Sequence, residues 1–261
     1  MTQLVLTERR DDVFLISLNR PEKRNAMNPE MLVGLSRAYT EFEQDRSLRV
    51  AVLHAQGDHF CGGLEFDACA ESLMSPTGEP LVPAGCVDPW GIKTPRVSKP
   101  VIMAAQGYCL TAALELCLAS EIVIAADNAQ FAQLEISRGA YPVGGGTTRW
   151  QLASGYQNSM RYLLTGDFFG AEEARRMGIV QDIVAPEELL DYAIAMAQKV
   201  AAQAPFGVRA TLKTARAVQD HGQQAAADLL YPLLYAMYQT EDLQAGIASF
   251  KDRERPVFHD K

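Results

Sequence analysis

Two glutamates have surroundings that suit acid–base chemistry, and Glu115 is the clearer of them. It is the only charged residue between Pro100 and Ser120, in a stretch of otherwise apolar or small side chains. A lone carboxylate in a buried helix is costly to ionise, so its pKa rises unless a partner compensates. A general acid at neutral pH requires such a raised pKa. The alternative is a glutamate on a helix surface that forms a salt bridge.

The second candidate is Glu135, which lies in the segment FAQLEISRG between Leu134 and Ile136. Taken alone, it also fits an edge-strand glutamate that is paired with Arg138. Two carboxyl groups in different surroundings can divide the acid and base roles of a reaction. The spacing in the sequence leaves open whether Glu115 and Glu135 meet.

Two loop-to-helix turns offer backbone hydrogen-bond donors. The segment QGYCLTAAL at 106–114 puts small residues at a helix start, and FCGGLEF at 60–66 has paired glycines that permit a tight turn. Unpaired N–H groups at a helix N-terminus point outward, and the helix dipole favours negative charge there. Two such donors aimed at one oxygen would form an oxyanion hole, although each motif alone also fits an ordinary turn.

Several other classes of function have little support in the sequence. The glycine-rich segment PVGGGTTR at 142–149 lacks the lysine of a P-loop, and no GxSxG or HExxH motif occurs. The four histidines have no metal-ligand spacing, and the five cysteines form no CxxC pair, which favours a reducing cytoplasm. A net charge of −8 argues against nucleic acid as a partner. Neither an 18-residue apolar run nor an export signal is present, so we expect no membrane span and no secretion.

The elements that must position these groups alternate at first between strands and helices. The patterns predict strands at 3–8, 13–18, 49–54, 101–106, 121–125 and 131–136. They predict helices at 28–43, from about residue 64, and at 111–118, 147–153, 158–165, 171–176, 186–203, 206–218 and 223–250. Pro232 is expected to kink or divide the last helix. The proline-rich stretch 73–98 predicts a long loop of the kind that forms lids or binding segments.

As an ordered set, the motifs resemble those of the crotonase (enoyl-CoA hydratase/isomerase) superfamily over nearly the whole chain. The similar segments are LNRPEKRNAMN, GDHFCGGLEF, KPVIMAAQGYCLTAALELCLASEIVIAAD, FAQLEISRGAYPVGGGTTR, GAEEARRMGIVQDIV and TEDLQAGIASFKDRERPVF. The resemblance implies an α/β fold, with a spiral of repeated ββα units over 1–200 and a helical trimerisation region over 201–261. It also implies homotrimers or hexamers built as dimers of trimers. The substrate would be an acyl-CoA thioester, with coenzyme A as part of the substrate and no metal or other cofactor.

The resemblance further implies roles for individual residues. The amides of Leu64 and Ala112 would hold the thioester oxygen, and Glu115 and Glu135 fall on the two acidic positions of true hydratases. The residues implied to contact coenzyme A are Lys23, Arg24, Ala26, Gly62, Phe250 and Phe258, the two phenylalanines from the same or a neighbouring subunit. Further phosphate contacts are implied for Arg253, Arg255 or Lys261.

The activity that the resemblance implies is hydration of a 2-enoyl-CoA to a 3-hydroxyacyl-CoA. The alternatives are double-bond isomerisation, which can run on Glu135 alone, and a non-catalytic oligomer that binds acyl-CoA. Three places depart from the family pattern: 111–113 is Thr-Ala-Ala instead of a glycine triplet, Glu65 replaces an aspartate, and Leu134 replaces a proline. If the triplet needs glycine-like dihedrals, its Cβ atoms would crowd the thioester or shift the amide.

Overall fold

Two β-sheets form the framework in the computed structural model, which describes residues 3–74, 81–253 and 255–261, without the side chains of Glu71 and of 250–252. The strands are β1 Val5–Arg10, β2 Val13–Leu18, β3 Val50–Ala55, β4 Val101–Ala105, β5 Tyr108–Leu110, β6 Ile122–Ala126, β7 Gln130–Ala132, β8 Phe169–Gly170 and β9 Asp182–Val184. The larger sheet has the order β1-β2-β3-β4-β6-β9, and the smaller has the order β5-β7-β8. In the larger sheet β1 is antiparallel to β2, and the other neighbours run parallel.

Helices follow most of the strands and make up most of the second half of the chain. They are α1 Pro29–Gln44, α2 Phe66–Met74, α3 Ala112–Ala119, α4 Gly146–Ser154, α5 Tyr156–Thr165, α6 Ala171–Arg176, α7 Leu189–Ala201, α8 Pro205–His221, α9 Gln223–Met237 and α10 Glu241–Asp252. The start of α1 has the expected chemistry, since Asn28 Oδ1 accepts a hydrogen bond from Met31 N at 2.9 Å. Pro29 takes the first helical position, where its missing N–H costs nothing.

The predicted ββα order is present in the middle of the chain. Strands β4 and β5 lead to α3, and β6 and β7 lead through a turn to α4. Each unit adds one parallel strand to the larger sheet and one to the smaller, because β4 pairs with β6 and β5 pairs with β7. The expected α/β architecture with a helical C-terminal region is confirmed.

The apolar core lies on both faces of the larger sheet. On one face Phe14, Ile16 and Met103 pack with residues of α1 and α3. The opposite face carries Val52 and Ile102 and is covered by α7. Strands β2, β3 and β4 are therefore buried on both sides, and strands of this kind have continuous apolar sequences.

The segment after β7 corrects one prediction. The strand expected at 131–136 ends at Ala132, and a 3₁₀ helix occupies Glu135–Arg138. Leu134 already has helical dihedrals, with φ −86° and ψ −5°, and Gly139 ends the turn in the left-handed region at φ 74°. Six residues are too few for alternation to separate a strand from a turn. The three-residue strand β5 was missed for the same reason.

The C-terminal helices correct another prediction. Pro232 lies inside α9, and the division falls later, where Thr240 caps α10 by accepting a hydrogen bond from Leu243 N at 3.2 Å. Helix α8 is tied to the sheet region because Arg216 forms an ion pair with Glu121. The proposed boundary near residue 200 stays a prediction.

Candidate active site

A cavity of about 900 Å³ opens between α2, α3, the segment 81–93 and the turn after β7. The predicted catalytic and oxyanion-hole residues line it together: Leu64, Ala112, Glu115 and Glu135. Most of the remaining wall is apolar and includes Leu32, Phe66, Leu73, Leu81, Val82, Trp90, Ile92, Tyr141 and Val143. The fold thus brings together groups that are up to 71 positions apart in the chain.

Glu115 projects from the first turn of α3 and is 2% exposed. Gly146 N donates a hydrogen bond to its Oε1 at 2.8 Å. Burial raises the pKa of the Glu115 carboxyl to about 7; the nearby Glu135 charge raises it too, whereas the hydrogen bonds from the Gly146 and Gly144 backbone and the Arg149 charge oppose the shift. Near neutral pH this carboxyl is therefore present in both its protonated and its ionised form, as acid–base chemistry requires.

The glycine-rich segment at 144–146 encloses the Glu115 carboxyl. A Cβ atom on Gly144 would stand 2.6 Å from Glu115 Oε2, and one on Gly146 would stand 3.1 Å from Oε1. Only glycine at 144 lets the backbone approach this closely without displacing the carboxyl. Sequence reasoning considered the segment only as a phosphate loop and missed this role.

Glu135 begins the 3₁₀ helix that follows β7. Its Oε1 accepts a hydrogen bond from Gln133 Nε2 at 2.9 Å, while its Oε2 is buried without a partner among the described residues. Burial raises the pKa of Glu135, opposed by hydrogen bonds from its own backbone and from Gln133. Arg138 lines the same cavity and has no part in this shift, so the salt bridge considered from the sequence does not explain Glu135. An unpartnered carboxyl oxygen in a cavity wall is a hydrogen-bonding position for a bound molecule.

Two backbone amides lie beside the carboxyl groups. Met27 N donates to Gly63 O and Glu65 N donates to Met27 O, which leaves the intervening Leu64 N–H without a partner within the described ranges. Ala112 is the first residue of α3, whose first N–H groups have no helical acceptor.

A parallel bridge between Cys61 and Cys109 places the two amides near each other. Leu64 and Ala112 are each three residues beyond a bridged position, so the two segments reach the cavity side by side. Two N–H groups in this arrangement can stabilise a negative oxygen.

A known protein family matches nearly the whole chain. The family described as enoyl-CoA hydratase/isomerase matches residues 8–261. The chain belongs to this family.

Relatives and solved structures cover almost the full length of this crotonase-superfamily chain. It is 31% identical to 2,3-dehydroadipyl-CoA hydratase of Escherichia coli (strain K12), over 99% of both proteins. It is 32% identical to (E)-benzylidenesuccinyl-CoA hydratase of Thauera aromatica, over 97% of this chain and 98% of the relative. A structure of a probable enoyl-CoA hydratase/isomerase from Mycobacterium abscessus has a TM-score of 0.95 and 42% identity, over 99% of both chains. The chain is therefore a crotonase-family protein, and its family supports an acyl-CoA thioester as the substrate.

The departures from the crotonase pattern have separate structural outcomes. Of the Thr-Ala-Ala triplet, Thr111 has a positive φ, at 52°, whereas Ala112 and Ala113 are ordinary helical residues of α3. Glycine-like dihedrals are thus confined to Thr111, and crowding of the thioester stays a prediction. Glu65 forms an ion pair with Arg20 at 2.8 Å, and Arg20 lowers the pKa of the Glu65 carboxyl.

The segment predicted to bind coenzyme A is organised by a residue that sequence reasoning missed. Asn25 is fully buried; it accepts a hydrogen bond from Arg20 N at 2.7 Å and donates to His59 O at 2.8 Å. Gly62 N donates to Arg24 O at 2.8 Å, which joins this loop to the strand-like segment before Leu64. Gly62 lines the cavity, and Lys23, Arg24 and Ala26 lie in the adjoining loop.

Of the two phenylalanines predicted to contact coenzyme A, the structure describes only the side chain of Phe258. Phe258 packs on α10, since its Cε1 is 3.8 Å from where a Cβ of Gly246 would stand, and it does not line the cavity among the described residues. The Phe250 side chain lies outside the described residues. Asp242 holds the tail by accepting hydrogen bonds from His259 N and Asp260 N. The coenzyme A roles of this region stay predictions.

Trp90 is a cavity residue that sequence reasoning did not single out. Its Nε1 donates to Ala112 O at 2.9 Å, so it braces the helix start that carries one of the free amides. Buried Asp88 fixes the turn around it by accepting hydrogen bonds from Trp90 N and Ile92 N. The Asp-x-Trp spacing of an Asx turn was the available signal, but it stood in a stretch without periodicity.

Among the described residues, no helix is long and apolar enough to cross a bilayer, and no group of three or more His, Cys, Asp or Glu could hold a metal ion. All five cysteines are free thiols.

Proposed function

We propose that this protein hydrates a 2-enoyl-CoA to a 3-hydroxyacyl-CoA. The observation that carries the proposal is the presence of two carboxyl groups, of the buried Glu115 and the half-buried Glu135, in the wall of one cavity with two free amides. Hydration needs both kinds of group, because a water must be deprotonated, C2 must be protonated, and the enolate between these steps must be stabilised.

In the proposed reaction the thioester oxygen accepts hydrogen bonds from the amides of Leu64 and Ala112. The ionised carboxyl group of the glutamate pair accepts a proton from water while the water oxygen bonds to C3. The C2–C3 π electrons move toward the thioester, and the negative charge of the resulting enolate rests on the oxygen that the amides hold. The other carboxyl group then gives its proton to C2, so the pair ends with the number of protons it had at the start.

Double-bond isomerisation is a second candidate, favoured by one observation. Glu135 Oε2 has no partner in the described part of the chain, whereas Glu115 Oε1 already accepts a hydrogen bond from Gly146. A single free base suffices to move a proton between C2 and C4 of an enoyl-CoA. The proposed hydratase differs in needing both carboxyl groups.

Replacement of each glutamate separates the candidates. For a hydratase, Glu115→Gln and Glu135→Gln each lower the rate of crotonyl-CoA hydration, followed by the loss of conjugated-thioester absorbance, by about 10²–10⁴-fold. An isomerase would lose activity on a 3-enoyl-CoA with Glu135→Gln alone. A non-catalytic acyl-CoA-binding oligomer would bind the thioester and be unchanged by both replacements. Glu172→Gln, an exposed residue of α6, is the matched control.

We also propose that the protein assembles as a homotrimer or a dimer of trimers. Large apolar side chains are exposed along α9: Leu230, Tyr231, Leu234, Tyr235 and Tyr238. Their spacing puts these side chains on one face of the helix, and an exposed apolar face is typical of an interface. A neighbouring subunit would then offer its C-terminal aromatics to the coenzyme A site. We propose that the protein uses no cofactor beyond the coenzyme A of its substrate. We also propose a cytoplasmic location, because the five cysteines are free thiols.

A further inference from the structure

Thr111 is a β-branched residue in a backbone conformation that favours glycine. Its φ is 52° and its ψ is −116°. For a β-branched residue this is a true outlier. Such strain persists only where the surroundings enforce it, and it is concentrated at active sites and ligand clamps.

The backbone of Thr111 is held on both sides. Its N–H donates to Ala132 O of β7 at 2.8 Å, and its carbonyl accepts a hydrogen bond from Glu115 N at 3.0 Å. The strained residue directly precedes Ala112, which begins α3 and lines the cavity. Glycine would adopt these dihedrals without strain, so the retention of threonine needs a separate explanation.

The hydroxyl of Thr111 lies between the two segments that carry the free amides. A Cβ atom built on Gly63 would stand 2.2 Å from Thr111 Oγ1, so the hydroxyl rests directly against Gly63. The hydroxyl therefore belongs to the residue before one amide donor, Ala112, and contacts the residue before the other, Leu64. Thr111 lines the cavity, and its hydroxyl has no hydrogen-bond partner in the part of the chain that the structure describes.

We propose that the Thr111 hydroxyl is a third hydrogen-bond donor to the thioester oxygen, beside the amides of Leu64 and Ala112. The proposal rests on the proposed function, since it concerns the same acyl-CoA oxygen. A threonine hydroxyl can rotate to donate wherever an acceptor arrives, and a glycine at this position has no donor to offer. The strain at Thr111 is then the cost of placing a side-chain donor in the oxyanion hole.

Three replacements separate the donor from the strain. Thr111→Val keeps the branched shape without the donor, Thr111→Ser keeps the donor, and Thr111→Gly removes both the donor and the strain. The probe is acetoacetyl-CoA, a β-keto thioester that cannot be hydrated and whose enolate has its own ultraviolet absorbance. Its bound enolate fraction reports how strongly the site stabilises a negative thioester oxygen.

We expect the wild-type protein and Thr111→Ser to raise the enolate fraction of bound acetoacetyl-CoA. Thr111→Val and Thr111→Gly should lower the ratio of bound enolate to bound ketone by about tenfold or more, since the loss of one oxyanion-hole donor typically costs about 10²–10³-fold in rate. Hydration of crotonyl-CoA should fall in the same order. If Thr111→Val does not fold, Thr111→Gly supplies the same comparison, because its backbone is unstrained.

Equal enolate ratios in wild type, Thr111→Val and Thr111→Gly would overturn the third donor, and so would a glycine variant that hydrates faster than wild type. The probe also separates this proposal from the proposed function. A protein that shows a Thr111-dependent enolate ratio but hydrates no enoyl-CoA contradicts the hydratase and supports the donor. A protein that hydrates enoyl-CoA, but whose rate and enolate ratio do not depend on Thr111, supports the hydratase and contradicts the third donor.

Discussion

At the scale of single residues, the protonation state of the Glu115 carboxyl depends on its burial and on the backbone that packs closely around it. Its pKa rises to about 7 mainly because it is buried, and the Gly146 and Gly144 amides limit the rise. The cavity leaves these groups room for a substrate, while Arg149 provides a compensating charge. The residue is thus neither a solvated surface glutamate nor a fixed ion pair.

The raised pKa of Glu115 has a consequence for stability. In the unfolded chain the carboxyl ionises near 4.5, and in the native protein near 7, so the native state binds more protons between these values. Its contribution to the free energy of unfolding is therefore fully present below pH 4.5 and is lost as the pH rises through 7, by up to about 3 kcal/mol. Urea unfolding at pH 5 and pH 8 measures this difference, which Glu115→Gln should reduce. An identical pH dependence in wild type and Glu115→Gln would contradict it.

A methyl group at Gly144 tests the enclosure of the carboxyl. The new Cβ would stand 2.6 Å from Glu115 Oε2 and 2.8 Å from Trp90 Cδ1, so both side chains must move. We expect Gly144→Ala to lower the hydration rate at least tenfold, with a stability loss of about 1–3 kcal/mol. The control is Gly207→Ala in α8, where a Cβ meets nothing within 4 Å. Equal rates in the two variants would show that the carboxyl does not depend on Gly144.

At the scale of elements, the sequence predicted the strands that are buried on both faces. It missed elements that are short or that depend on non-local contacts. Strands β2, β3 and β4 were predicted within one residue, because their apolar runs are continuous. The turn at Glu135–Arg138 and the three-residue β5 were not predicted, since neither is long enough to show a period.

Within the site, the sequence identified the four groups, but the residue patterns did not show that they lie in one cavity. Glu115 stood out as a lone charge, and the glycine pair marked the loop before Leu64. Their proximity comes from the parallel Cys61–Cys109 bridge, a pairing between segments 48 positions apart that no local pattern records. The supporting residues Asn25 and Trp90 were missed because a single side chain in a loop has no periodic signature.

The brace between Trp90 and the start of α3 can be tested by removing the indole N–H donor. Trp90→Phe keeps an aromatic ring but loses the 2.9 Å hydrogen bond from Nε1 to Ala112 O. We expect a stability loss of about 1 kcal/mol and a kcat for hydration reduced several-fold, because the Ala112 amide is less firmly placed. Thermal unfolding and steady-state kinetics measure the two effects. An unchanged kcat with a lowered Tm would mean that the brace is structural only.

At the scale of the whole molecule, the proposed assembly would involve the helical C-terminal region. The exposed tyrosines of α9 and the folded-back tail, held by Asp242, lie outside the cavity of their own chain. An interface through α9 would explain both the apolar surface and the absence of the tail from the described cavity wall.

Charge placed on this surface should therefore break the assembly. Wild-type protein is expected to sediment as three or six copies of a 28.6 kDa chain. Tyr235→Glu, on a residue that is 67% exposed, should shift it to smaller species, whereas Gln223→Glu at the start of the same helix should not. A wild-type monomer would contradict the proposed assembly, as would a Tyr235→Glu variant of unchanged mass.

The most direct test of the central claim follows one substrate in heavy water. Incubating the protein with crotonyl-CoA in D₂O and examining the product by mass spectrometry and NMR reports both new bonds at once. We predict a 3-hydroxyacyl-CoA with one deuterium at C2, formed by wild type and lost in both Glu115→Gln and Glu135→Gln. A 3-enoyl-CoA without a hydroxyl group, or a 3-hydroxyacyl-CoA formed equally well by either variant, would contradict a hydratase that depends on both carboxyl groups.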